Sequence, residues 1–128
     1  MKIRIKGNSV RLRLTQTEIN TFAEKGTISE VICFGSLANQ KLTYTLVKGT
    51  TNEFDAKYQE NEIKITLPNN QASIWTSTNL VSLEAKIAIS DEEKLLILVE
   101  KDFKCLQPRA NEDETDHYPH PNEGEIFC

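Results

Sequence analysis

The chain predicts an α+β domain: a mostly antiparallel, twisted sheet or partly closed barrel, with two short helices over its apolar face. Three observations predict it. Apolar and polar residues alternate with period two in several short runs, as in Lys2-Ile3-Arg4-Ile5-Lys6 and Val10-Arg11-Leu12-Arg13-Leu14. A complete helix-start signal, Thr15-Gln16-Thr17-Glu18, interrupts them. Nearly all the links are short, which favours antiparallel neighbours because parallel crossovers need about a dozen residues or more.

In chain order, the two opening runs form strands, with Gly7-Asn8-Ser9 as the tight turn between them. Thr15 then caps a helix over residues 16–25, where Ile19, Phe22 and Ala23 make an apolar stripe and Gly26 ends it. Leu14 and Ile19 sit where a hydrophobic staple would hold the chain's entry. Strands follow over 28–34, 42–46, 53–58 and 62–67, the last two forming a hairpin around Gln59-Glu60-Asn61, and Pro68 stops the second. Asn69 or Asn70 caps a second helix through Thr76, which buries Ile74 and Trp75. Leu83–Ile89 alternates again, and the continuously apolar Leu95–Val99 reads as the central strand. The expected core is Ile3, Ile5, Val10, Leu12, Leu14, Ile63, Ile65, Leu83, Ile87, Leu96 and Leu98. No internal repeat of fixed period is legible.

The 128 residues suit one domain, able to bury roughly two-thirds of the surface its unfolded chain exposes. Residues 1–106 form the sheet–helix domain. Residues 107–128 change character, with three prolines and few apolar anchors beyond Tyr118, Ile126 and Phe127, and read as an acidic tail, docked on that domain or disordered. The net charge of −4 hides an asymmetry. Lys2, Arg4, Lys6, Arg11 and Arg13 open the chain with no acid among them, whereas Glu112, Asp113, Glu114, Asp116, Glu123 and Glu125 oppose only Arg109 in residues 105–128. Three unpatterned cysteines, Cys33, Cys105 and Cys128, argue against a disulfide scaffold. With no apolar leader and no run of eighteen apolar residues, the expectation is a soluble, cytoplasmic protein that binds neither membrane nor DNA.

The two ends, MKIRIKGNSVRLRL before TQTEI and KDFKCLQPR before NEDETDHYPHP, resemble those of a family of small bacterial proteins with no assigned function. The resemblance covers essentially the whole chain and implies no activity, cofactor or catalytic residue. A looser similarity is to the triphosphate tunnel enzymes, whose antiparallel strands carry charged inward faces and an early Glu-x-Glu-x-Lys run. The opening strand here has no acid, and Glu62-Ile63-Lys64 and Glu84-Ala85-Lys86 lack the second one.

The candidate site is the basic stripe. If both opening strands keep period two, Lys2, Arg4, Lys6, Arg11 and Arg13 share one sheet face, which Lys57, Lys64 and Lys86 could join. Arginine grips phosphate or carboxylate bidentately and lysine adds a point charge. Like charges facing across strands are destabilising, so the stripe needs compensation. Surface carboxylates (Glu62, Glu84, Glu100, Asp102), a small anionic ligand or the chain's own acidic tail could each supply it. No aromatic residue stands in the first fourteen positions, which disfavours single-stranded RNA.

In the tail, Glu112, Asp113, Glu114, Asp116, His117, His120 and Cys128 match neither zinc nor calcium spacing, so no metal is assigned. Cys33 and Cys105 read as buried, and no cofactor or catalytic residue is assigned. Three functions stay open: a non-enzymatic structural or interaction protein, with its protein partner unknown; a module for a phosphorylated or other anionic ligand; and a metal-assisted phosphate enzyme using Glu84, Glu100 or Asp102.

Overall fold

A computed structural model describes residues 1–103. They form eight strands and two α-helices: β1 (Lys2–Lys6), β2 (Ser9–Leu14), α1 (Gln16–Lys25), β3 (Thr27–Cys33), β4 (Lys41–Gly49), β5 (Asp55–Gln59), β6 (Glu62–Pro68), α2 (Asn69–Ser77), β7 (Ser82–Ala88) and β8 (Lys94–Lys101). The α+β class holds, but the strands do not close into a barrel. They make two four-stranded mixed sheets, ordered β1-β2-β8-β7 and β3-β4-β6-β5, each with an antiparallel hairpin on either side of a central parallel pair.

The chain is a repeat that its sequence conceals. Each half is a hairpin, a helix and a second hairpin, and each sheet takes the first hairpin of one half and the second hairpin of the other. The parallel pairs share one register: Leu12 faces Val99 in the first sheet and Ile65 faces Leu46 in the second, each partner lying the same 53 positions from its counterpart as 12 lies from 65. On the same offset Leu14 matches Leu67, Ile19 matches Ala72, and Phe22 matches Trp75, all of them buried. The Phe22 and Trp75 rings meet edge to face, with centroids 6.2 Å apart, a favoured aromatic geometry. Lys48 and Lys101 match too, and each reaches a helix C-terminus, donating to Ala23 O at 3.0 Å and to Thr78 O at 2.7 Å, where free carbonyls favour a cation.

Local rules explain the element ends. Thr15 and Glu18 form the reciprocal capping box, and Gly26 at φ 76° closes α1, accepting a left-handed conformation that a side chain disfavours. The β5–β6 turn instead places Glu60 and Asn61 at positive φ, 52° and 61°, as the tightest hairpins require. The N-cap of α2 is Pro68 and not an asparagine, because Pro68 still pairs with Gly49 and the strand runs to the helix.

Leu12, Leu14, Ile65 and Leu83 are buried as expected, and Ile3, Val10, Ile63 and Ile87 pack against them. Four expectations are corrected. Ile5, at the open end of edge strand β1, is exposed, as is Ile74, on the outer side of α2. Leu96 and Leu98 belong to the outer face of β8, while Ile97 and Val99 fill the core. Cys33, at the end of edge strand β3, is an exposed free thiol. The expectations for Cys105, the tail and its metal-ligand residues lie outside the described residues.

A candidate basic sheet face

The register of the first sheet settles where the stripe lies. Lys2 stands opposite Arg13, Arg4 opposite Arg11, and Lys6 opposite Ser9. Side chains alternate across a strand, so Lys2, Arg4, Lys6, Arg11 and Arg13 share the outer face, turned away from Ile3, Leu12 and Leu14. On β8 and β7 the same face carries Glu100, Leu98, Leu96 and Lys94, then Glu84 and Lys86. Lys57 and Lys64 do not join it; they lie on the outer face of the second sheet, where Lys57 Nζ is 3.9 Å from Asp55.

Compensation comes from β8. Glu100 stands beside Arg13 in register and accepts from its Nε at 2.6 Å, with Arg11 Nε at 3.9 Å from the same oxygen. Asp102, just past the strand, lies 3.1 Å from Lys2 Nζ. Glu100 and Asp102 thus fill the role foreseen for them. Glu62 does not: it is on the second sheet and accepts from Thr45 Oγ1 at 2.8 Å. The face still carries seven cations (Lys2, Arg4, Lys6, Arg11, Arg13, Lys86, Lys94) against three carboxylates (Glu84, Glu100, Asp102) among the described residues. Its geometry is a grid: same-face neighbours repeat at about 6.8 Å along a strand and about 4.8 Å between strands. Such a grid suits an extended, multiply charged anion, since one phosphate can meet only a corner of it.

A second polar cluster escaped the sequence reading. Met1 is buried, its amine pairs with Glu18 and, at 2.9 Å, with Glu30, and its carbonyl accepts from the Tyr44 hydroxyl at 2.8 Å. Burial works against the charged amine, but hydrogen bonds to the two carboxylates and their charges outweigh it and hold its pKa above the ordinary value. Burial would raise the Glu18 carboxyl, yet the amine and the Thr15 backbone N–H hold it below its usual range. Burial, with the charges of Glu30 and Glu18, pushes the Tyr44 phenol up. No side-chain signal announces a buried backbone amine, so only the capping role of Glu18 was legible. Every group here is satisfied by another, which makes the cluster a brace between α1, β3 and β4.

A cleft of about 520 Å³ lies between the helices and the end of β8, lined by Leu14, Ile19, Thr76 and Phe103 among others. Its charged residues are already engaged, Lys101 by Thr78 O and Asp102 by Lys2. No group of three His, Cys, Asp or Glu side chains comes together to hold a metal among the described residues. None of the described helices is long and apolar enough to cross a membrane.

A family model described as a family of unknown function, DUF7009, matches residues 1–122. The chain belongs to that family. No curated protein and no solved structure matches it.

Proposed function

Membership of that family brings no activity with it, and from the geometry we propose a non-enzymatic interaction protein whose outer basic sheet face takes up an extended anion, such as a linear phosphate chain. The observation that carries this reading is the register that gathers Lys2, Arg4, Lys6, Arg11 and Arg13 on one outer sheet face. Lys2, Arg4 and Lys6 line an exposed edge strand, and arginine beside lysine gives both bidentate grip and point charge. Among the described residues, the polar groups of the Met1 cluster are engaged with one another, and the charged residues of the cleft between the helices are already paired. The reading places the protein in the reducing cytoplasm, where the exposed Cys33 stays a thiol.

Calorimetric titration with linear tripolyphosphate and with inorganic phosphate, at low and high salt, tests it. Tripolyphosphate binds the more tightly, its affinity falls as salt rises, and Lys6→Ala and Arg4→Ala each weaken it several-fold without changing the fold's circular dichroism. Equal affinity in both variants and the parent, or no heat at any salt, overturns the reading. Release of phosphate in the presence of magnesium would replace it with the enzymatic alternative at Glu84, Glu100 and Asp102.

A further inference from the structure

We propose that the acidic tail of this chain, residues 112–125, is an intramolecular occupant of the basic sheet face and competes there with an external anion; the inference rests on the reading of that face as an anion site. Three observations support it. The first is charge: among the described residues the face carries seven cations and three carboxylates, whereas residues 105–128 hold six carboxylates against Arg109. The second is position. Asp102, the last acid of the described residues, lies just past β8 and already pairs with Lys2 on β1. Asp102 N also donates to Leu14 O at 2.8 Å, so the backbone is still tied to β2 as it departs.

The third is reach. From Phe103 to Glu112 there are nine peptide steps, up to about 30 Å of chain, while the five residues of β1 span about 17 Å. The carboxylates can therefore meet any cation from Lys2 to Lys6. A tether of that length gives an effective concentration on the order of millimolar. Contacts too weak to matter between separate molecules then occupy the face for much of the time. An external anion sees its affinity divided by the fraction of the face left open.

Glu112, Asp113, Glu114 and Asp116 are neutralised together in the full chain, by E112Q, D113N, E114Q and D116N. A control of equal charge carries E24Q, E53Q, D55N and E60Q, four acids on α1 and on or beside β5 of the other sheet. Tripolyphosphate is titrated into each protein at low and high salt. The tail variant binds about three- to tenfold more tightly than the parent at low salt, the control changes little, and high salt erases the difference. Equal gains in tail variant and control overturn the inference, because bulk charge then explains both. Unchanged binding in the tail variant, with the parent still binding, also overturns it and leaves the site standing. Failure of every protein to bind defeats the site itself and the inference with it.

Discussion

Leu12 and Ile65 hold the same place in the two halves and are equally buried, yet the residues beside them on the outer faces have parted. Beside Leu12 stand Arg11 and Arg13; beside Ile65 stand Lys64 and Thr66. Across the central parallel pair, Glu100 of β8 corresponds to Val47 of β4, and Leu98 to Thr45. The second sheet is thereby a polar surface in which Ser29, Thr45 and Glu62 satisfy one another. The first is a basic surface with carboxylates inserted to hold it. The same contrast recurs at the end of the core. Met1, Glu18, Glu30 and Tyr44 form an ionic brace in the first half, and the corresponding Phe54, Gln71, Ala85 and Ile97 of the second carry no ionisable group. The difference teaches that packing fixes what the halves share, while charge marks where they diverge.

That contrast is broken most severely at the aromatic contact between the helices. Phe22→Ala and Trp75→Ala each remove a fully buried ring from the shared core, and each should cost about 3–5 kcal/mol in denaturant unfolding. Equivalent positions should lose comparable amounts. A loss confined to one of the two would mean that the halves do not share one core.

The ionic brace should separate the halves. Glu18→Gln removes a carboxylate that both caps α1 and pairs with the Met1 amine, at a cost of about 1–3 kcal/mol; Gln71→Ala, at the matching place in α2, should cost under about 0.5 kcal/mol. The pH dependence follows from the two shifts. The amine pKa is raised on folding, so its stabilisation is complete below the ordinary α-amino value near 8 and is lost as pH climbs through the raised one. The Glu18 carboxyl is lowered, so its contribution is complete above the usual glutamate value near 4.3 and is lost as pH falls through the lowered one. Unfolding free energies measured between about pH 2 and pH 10 should therefore decline at both ends in the parent protein, the acid decline setting in only below the usual glutamate value. Both declines should be shallower in Glu18→Gln, and parallel curves would show that the brace carries no linkage.

How much of this the sequence disclosed depended on whether a pattern had a parity. The strict alternation of β1 and β2 put all five cations on one face before any coordinates, and Glu100 and Asp102 were already among the acids expected to answer them. Leu95–Val99 has no alternation, so nothing in it chose between Leu96 and Ile97 as the core residue, and the wrong parity put Leu96 and Leu98 inside. Ile5 and Ile74 looked like core by type, but exposure at an edge strand's end or on a helix's outer side is a property of position. The repeat was hidden because burial demands only an apolar side chain of suitable volume. Leu for Ile, or Phe for Trp, preserves the fold while erasing sequence identity, and the outer faces were free to change altogether.

The mildest substitution sharpens the comparison furthest, because it turns the outer face of the first sheet toward the character of the second. Glu100→Gln removes a carboxylate within 4 Å of both Arg11 and Arg13 while keeping the side chain's shape. The pairs are partly exposed, so the expected loss is about 0.5–1 kcal/mol at low salt, shrinking as salt screens the like charges of Arg11 and Arg13 opposite Arg4 and Lys2. If the face binds anions, the same change that weakens the fold should tighten tripolyphosphate binding, because an internal competitor for the guanidinium groups has gone. Stability and affinity should thus move in opposite directions in one variant. A variant that loses both would mean that Glu100 positions the arginines for the ligand, and one that loses neither would make the Arg13 contact a surface pair of no energetic weight.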